Sequence, residues 1–356
     1  MITADSVRKL VSSFPDPETG RPVGQLGQVG EVRVEGDRVH VGLGLTSWAA
    51  PIQDETLTRL RDRLVSELGI EESDCVVEAL PHERKAEKLG QVGVTAKSVI
   101  AVGSGKGGVG KSTIATSIAY GLKNAGARVG LMDADVYGPS VPHLVGINER
   151  PTAINQRLQP IEKDGLKLIS MGFMVPAEEA IVWRGPMLHG AVTQMLRDTD
   201  WGDLDYLVID MPPGTGDIAL TLSQLLPLTG AVVVCTPQDV ALLDAVKAIA
   251  MFRKVSIPVL GVVENMSYFL CPDNGQRYDI FGNGGAKAKA AQLGVPFLGE
   301  APISIDLRKR GDDGQTGGNY ADDYIAPYLW NITRQMVRNI AASHAEKPAT
   351  PSLPVL

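Results

Sequence analysis

Nine consecutive residues constrain this chain more than any others: Gly105-Lys-Gly-Gly-Val-Gly-Lys-Ser-Thr113, set between an apolar run at Val99 to Val102 and a helical run from Ile114 to Leu122. Gly105 and Gly110 bound four residues ahead of Lys111 and Ser112, which is the spacing of a phosphate-binding loop. Glycines let the backbone wrap closely around an anion, and a helix that starts at the end of the loop aims its free N–H groups at phosphate oxygens. Such a loop works only where a buried strand feeds directly into a helix, so the motif predicts an α/β sheet before any other residue is considered.

The rest of the chain agrees. Apolar runs recur at Val129 to Met132, Tyr206 to Ile209, Ala231 to Val234 and Val259 to Val263, with helical segments between them. Continuous Val/Ile/Leu runs separated by helices are what a parallel sheet covered on both faces requires. The fold class expected is α/β: a doubly wound, mainly parallel P-loop NTPase domain over residues 98–346, preceded by a small α+β domain over 1–80. That first domain reads as a helix near Ala4 to Ser12 and a hairpin, Val29 to Val34 and Val39 to Leu45 around Glu35-Gly-Asp37. A helix from Asp54 comes next, with Leu57, Leu60, Leu64 and Leu68 on one stripe, then a strand near Cys75 to Ala79. Residues 81–97 are crowded with charge and lack an apolar period, so they read as a linker. A last helix near Asp322 to Ala345 presents Ile325, Leu329, Ile332, Met336 and Ile340, and 347–356 reads as a disordered tail.

Composition removes several functions. The net charge is -7 over 356 residues, without the basic footprint of sequence-independent nucleic-acid binding, so no nucleic-acid partner is expected. No stretch approaches the roughly 18 uninterrupted apolar residues of a membrane span, and the first ten residues carry Asp5, Arg8 and Lys9. A cytoplasmic protein with no membrane partner is the expectation. Three cysteines, Cys75, Cys235 and Cys271, are too few and too scattered for a disulfide framework.

Chemistry can be assigned within the loop. The backbone of Gly105, Lys106, Gly107, Gly108, Val109 and Gly110 is expected to cradle the phosphates of ATP. Lys111 neutralises the β- and γ-phosphates, Ser112 ligates Mg²⁺, and Thr113 donates to the α-phosphate. Other groups stand at strand ends, where ligands of open α/β sheets gather. Asp210 ends the run Tyr206 to Ile209 and is the Walker B candidate for Mg²⁺, with Gly214 placed to sense the γ-phosphate. Asp133 and Asp135 come after Val129 to Met132; Asp135 is favoured to orient the attacking water and Asp133 to sit in the Mg²⁺ shell, while a helix-capping role stays open for either. Asn265, just past Val259 to Val263, has the amide needed to read an adenine edge. The candidate catalytic set is therefore Lys106, Lys111, Asp135 and Asp210.

The loop resembles the deviant Walker A class, which includes the nitrogenase iron protein and the MinD and ParA ATPases. That resemblance implies that Lys106 crosses a dimer interface to the partner's nucleotide. Longer stretches resemble the Mrp/ApbC family of iron–sulfur cluster carriers. They are Asp133-Ala-Asp-Val-Tyr-Gly-Pro-Ser140, Trp183-Arg-Gly-Pro-Met-Leu-His-Gly190, Asp205 to Asp217, Thr236-Pro-Gln-Asp-Val240 and Glu264-Asn-Met-Ser-Tyr-Phe269. The first domain is similar to the small N-terminal domain of many members, with Asp16-Pro-Glu18 near its start. The resemblance implies a homodimer that hydrolyses ATP and passes a cluster to apo iron–sulfur proteins or other assembly factors, with a [4Fe-4S] cluster bridging two subunits.

Two departures stand against that pattern. The family usually places a C-x-x-C pair after the Glu-Asn-Met-Ser-Tyr segment, but here the residues are Cys271-Pro-Asp-Asn274. A symmetric dimer then offers two thiolates where common clusters use four. In the first domain Ala50 precedes Pro51 where relatives often carry cysteine. Cys271 keeps two readings, cluster ligand or small apolar filler, and Cys75 and Cys235 read as core. The alternative function is a cluster-free, ATP-dependent dimeric adaptor or switch.

Overall fold

The computed structural model describes residues 2–173, 185–214 and 216–348. Of the sequence stretches that carry the resemblance, Trp183–Gly190 is described from residue 185. Thr215 and the tail beyond residue 348 lie outside the described residues. The chain divides into two compact units, Met1–Lys85 with Val337–Leu356, and Ala86–Met336.

The first unit contains α1 (Ala4–Ser12), β1 (Val29–Glu35), β2 (Arg38–Leu45), α2 (Gln53–Leu68) and β3 (Cys75–Pro81). β1 and β2 form the expected hairpin, and β3 joins β2 in parallel. Thr3 caps α1 through a reciprocal pair with Ser6, which satisfies two backbone donors that the first turn leaves free. On α2, Leu60 and Leu64 are buried and Leu57 and Leu68 half-buried, as the spacing requires. Asp16 and Glu18 are buried too, and both are answered by Arg84: Nη2 lies 2.9 Å from Asp16 Oδ2, and Nε donates to Glu18 Oε1 at 3.0 Å. Gln28 Nε2 donates to the other Asp16 oxygen at 3.0 Å. Within this unit the guanidinium of Arg338 also pairs with Glu55, and the His344 ring lies 5.8 Å from Trp48.

The second unit opens with β4 (Lys88–Leu89), which pairs antiparallel with β5 (Val94–Gly103). The polar run read as a linker therefore includes a two-residue strand, too short to show periodicity, and the first four residues of β5. Next come α3 (Lys111–Asn124), β6 (Val129–Asp133), α4 (Val141–Val145), β7 (Ala153–Ile154), β8 (Arg157–Leu158), β9 (Ile161–Lys163) and β10 (Leu166–Ser170). After them come α5 (Gly185–Arg197), β11 (Leu204–Asp210), α6 (Gly216–Leu225), β12 (Gly230–Cys235) and α7 (Asp239–Lys254). The last are β13 (Val259–Leu270), β14 (Arg277–Tyr278), α8 (Gly285–Leu293), β15 (Phe297–Ile303), α9 (Ile305–Asp312) and α10 (Ala326–Glu346), whose residues from Val337 belong to the first unit.

The main sheet runs β14-β13-β12-β5-β11-β6-β10-β9, with β15 on β13 and β4 on β5. Pairs among β5, β6, β10, β11, β12, β13 and β15 are parallel. β5 is thus central, flanked by β11 and β12, and every residue of β6, β11 and β12 is buried. This is the doubly wound, mainly parallel sheet expected. Sequence reading passes over β10 and β15, whose short runs carry Lys167 and Glu300 among their apolar residues. Among the described residues no helix is long and apolar enough to cross a membrane.

Removing the Arg84 guanidinium takes a positive partner from two buried carboxylates. Because Arg84 is itself 23% exposed, Arg84→Ala should cost about 2–3 kcal/mol, below the ~3–5 kcal/mol of a fully buried pair. Urea unfolding followed by Trp48 fluorescence, with the other tryptophans substituted, measures it; an unchanged midpoint would show that these contacts contribute nothing.

Candidate nucleotide-binding site

The glycine-rich loop leaves the C-terminal end of the central strand β5, at the point where the chain order reverses and an open α/β sheet forms its crevice. Two of its glycines are required by their neighbours. Gly110 has φ +80°, and a Cβ there would overlap the amide nitrogen of Asn265; a Cβ at Gly105 would overlap the Asp244 backbone on α7. Lys106, Gly107, Gly108, Gly110, Lys111, Ser112 and Thr113 line a cleft of about 270 Å³ together with Asp135, Gly138, Ser140 and Pro213. The Val109 side chain is buried.

Strand register brings the acidic groups together. Asp210, at the end of β11, lies opposite Asp133 at the end of β6. Lys111 Nζ lies 2.6 Å from Asp210 Oδ1, 3.0 Å from Ser112 Oγ and 3.7 Å from Asp135 Oδ2. Lys111 is 7% exposed and Asp210 is fully buried. One carboxylate oxygen is thus neutralised, while the other, Asp210 Oδ2, is buried without a hydrogen-bond partner. An orphaned buried oxygen beside the Ser112 hydroxyl fits a site that takes a hydrated divalent cation, since leaving a buried acceptor empty is otherwise costly. Burial raises the Asp210 carboxyl, opposed by the Lys111 charge.

Asp133 is used differently. Its Oδ1 accepts from Asp135 N at 3.1 Å, and its Oδ2 accepts from Val141 N at 3.2 Å and Ser170 Oγ at 3.0 Å. These contacts tie β6, α4 and β10 into one platform under the cleft. Burial, and then the Asp210 charge, push the Asp133 carboxyl up to about 8. Ser170 is the residue that sequence reading missed here; its only signal is its place at the end of a short apolar run. Asp135 both caps a turn and faces the site: Oδ1 accepts from Tyr137 N and Gly138 N at 3.2 Å, and Oδ2 is the oxygen nearest Lys111.

Three further candidates lie around the loop. Lys106 is half-buried, with Nζ 3.5 Å from Gln238 Oε1. Gly214 has φ +74° and donates its N–H to the Ser104 carbonyl at 3.1 Å. Asn265 Nδ2 donates to the Val109 carbonyl at 2.9 Å, which commits that nitrogen to the loop's own backbone.

Cys271 stands apart from this cleft, just past the end of β13. Its N–H donates to the Gln276 carbonyl, and its own carbonyl accepts from Gly275 N, closing a tight hairpin into β14. It is half-buried, while Cys75 and Cys235 are buried, and burial pushes the Cys235 thiol up to about 12. Asn274 is exposed and accepts from Gln276 N. Among the described residues no three or more His, Cys, Asp or Glu side chains converge as a metal-binding group.

A family model described as NUBPL iron-transfer P-loop NTPase matches residues 95–340. The chain belongs to this family. A second model, described as iron-sulfur cluster assembly protein, matches residues 4–72. An iron-sulfur cluster carrier protein of Deinococcus radiodurans is 48% identical over 312 residues, 87% of each chain. The iron-sulfur cluster transfer protein NUBPL of Dictyostelium discoideum is 52% identical over 62% of this chain and 69% of its own. Among solved structures, a nucleotide-binding protein of Archaeoglobus fulgidus in complex with ADP matches at 40% identity and TM-score 0.56, over 62% of this chain and 88% of that one. The MinC:MinD complex of Aquifex aeolicus shares the fold at 18% identity and TM-score 0.50, over 67% and 94%.

The raised Asp133 carboxyl has a consequence for stability. Between its ordinary value of 3.8 and about 8, the native state binds more protons than the unfolded chain. Its contribution therefore falls as pH rises through that window. The urea midpoint of nucleotide-free protein should drop between pH 5.5 and 8 by more in wild type than in Asp133→Asn; equal slopes would remove Asp133 as the cause.

Proposed function

We propose that this chain binds ATP with Mg²⁺ at Gly105 to Thr113, hydrolyses it, and works as a homodimer that carries iron–sulfur clusters to apoproteins. The observation that carries the nucleotide half is the Lys111 ammonium held among Asp210, Ser112 and Asp135 at the strand ends, with Asp210 Oδ2 unpartnered. In this reading Lys111 leaves its carboxylate partners to neutralise the β- and γ-phosphates, and Ser112 and Asp210 hold the cation. Bound Mg²⁺ supplies charge neutralisation at the transferred phosphoryl group. Asp135 orients the attacking water, and Gly214 gives up the Ser104 carbonyl to meet the γ-phosphate. Asp133, with both oxygens already engaged, holds the platform and reaches the cation only through water. The ADP complex of the 40%-identical Archaeoglobus fulgidus protein supports the nucleotide assignment.

The carrier half is supported by the relatives, named as cluster carriers and transfer proteins over most of this chain's length. Cys271 is the thiol positioned to hold cargo, because it is the one cysteine of the three that is not buried. A second reading, the cluster-free adaptor, is favoured by the exposed Asn274 at the place of a second ligand.

Lys111→Ala should lower ATP turnover at least about a hundredfold, as loss of a principal charge-stabilising group does. Wild-type turnover in that variant would overturn the active-site assignment. Cluster-loaded protein should restore activity to an apo [4Fe-4S] acceptor, and Cys271→Ala should not; equal restoration by both would favour the adaptor.

A further inference from the structure

One strand connects the glycine-rich loop to the cysteine hairpin, and it is interrupted. β13 pairs in parallel with β12 as far as Glu264, and with β15 as far as Asn265 opposite Ala301. The next registered pair is Phe269 opposite Ile303, so β13 advances four residues (265 to 269) where β15 advances two (301 to 303). The surplus makes a bulge, a feature that bends a strand and re-aims its outer half. Met266 lies in it with φ +54°, in the left-handed region that residues bearing a Cβ seldom occupy. Beyond the bulge β13 keeps one registered pair with β15, Phe269 opposite Ile303, and becomes the arm of the hairpin, paired with β14 and leading into Cys271.

The bulge is gripped at both ends. On the sheet side the Asn265 amide holds the Val109 carbonyl, and Asn265 and Met266 both lie against Gly110. On the hairpin side Ser267 Oγ is 2.7 Å from Glu264 Oε1 and 3.0 Å from Glu300 Oε2. The Arg277 guanidinium stacks 3.8 Å from the centre of the Tyr268 ring, whose hydroxyl is bonded to that of Tyr328. A displacement of Val109 therefore acts directly on Asn265, the residue before Met266. The residues past them are held by Glu264, Glu300, Tyr328 and the hairpin's own Arg277, not by the loop.

Building on the nucleotide reading, we propose that residues 265–268 form the joint through which nucleotide binding resets the hairpin that bears Cys271. Asn265 and Met266 are positioning residues in this scheme. Phosphates draw the N–H groups of the loop toward themselves. The Val109 carbonyl moves with them and carries the Asn265 amide. Met266, held in a backbone state with a well-separated ordinary alternative, gives the joint two discrete settings, which is what energetic coupling between sites requires.

The full chain supplies its own probe. Cys75 and Cys235 are 4% and 1% exposed, so iodoacetamide reports on Cys271, with Cys271→Ser as the blank. Alkylation is timed without nucleotide, with MgADP and with a non-hydrolysable MgATP analogue, and binding is titrated in parallel with a fluorescent nucleotide. Saturating nucleotide should change the wild-type rate at least about fivefold, the lower range of ordinary coupling. Met266→Gly makes the joint pliable; it should bind nucleotide as wild type does and hold the change below about twofold. Met266→Asn, which accepts the left-handed state, should keep it. An unchanged Cys271 rate in nucleotide-saturated wild type overturns the coupling, and a full response in Met266→Gly overturns the assignment of the joint. Failure of the fluorescent nucleotide to bind at all overturns the nucleotide reading instead.

Discussion

The ion pair between Lys111 and Asp210 is the interaction around which this site is organised. Two opposite charges sit at the C-terminal edge of the sheet with almost no access to water, and only their contact makes their burial tolerable. Strand order creates the arrangement. β5 delivers the loop, β11 beside it delivers Asp210, and β6 beyond delivers Asp133 and Asp135. A ligand that brings its own negative charge can take over the lysine, and a cation can then take over the carboxylate. On the proposed reading, the pair holds the place that the charges of MgATP would take.

Asp133 shows why neighbouring acids at such a site do different jobs. It accepts three hydrogen bonds from three segments, so its role is to fix geometry. Asp210 accepts from the lysine on one oxygen and leaves the other without a hydrogen-bond partner. Position along the strand is the same for both, and the surroundings decide.

Much of this is readable from residue order. The loop spacing, the five apolar runs and the helix stripe on α2 each correspond to an observed element, because each rests on local periodicity or on glycines that local geometry demands. Strands β10 and β15 are not readable, since a charged residue breaks each short run and only the neighbouring strands stabilise it. Nor is the distinction between Asp133 and Asp135, because it depends on Ser170 and Val141, distant or unremarkable in sequence. The bond from Asn265 to Val109 spans 156 residues and is beyond any pattern. Met266 carries no sequence signal at all; its left-handed backbone appears only once the register of β13 against β15 is known.

A chain with one accessible cysteine per copy that still handles a cluster is the central claim. Iron and acid-labile sulfide after anaerobic reconstitution, measured together with oligomeric state for wild type and Cys271→Ala, test it most directly. Near-stoichiometric iron and sulfide per pair of chains is the result expected of wild type, lost in the variant. Wild type free of iron and sulfide while still hydrolysing ATP would contradict the claim and leave a nucleotide-driven adaptor.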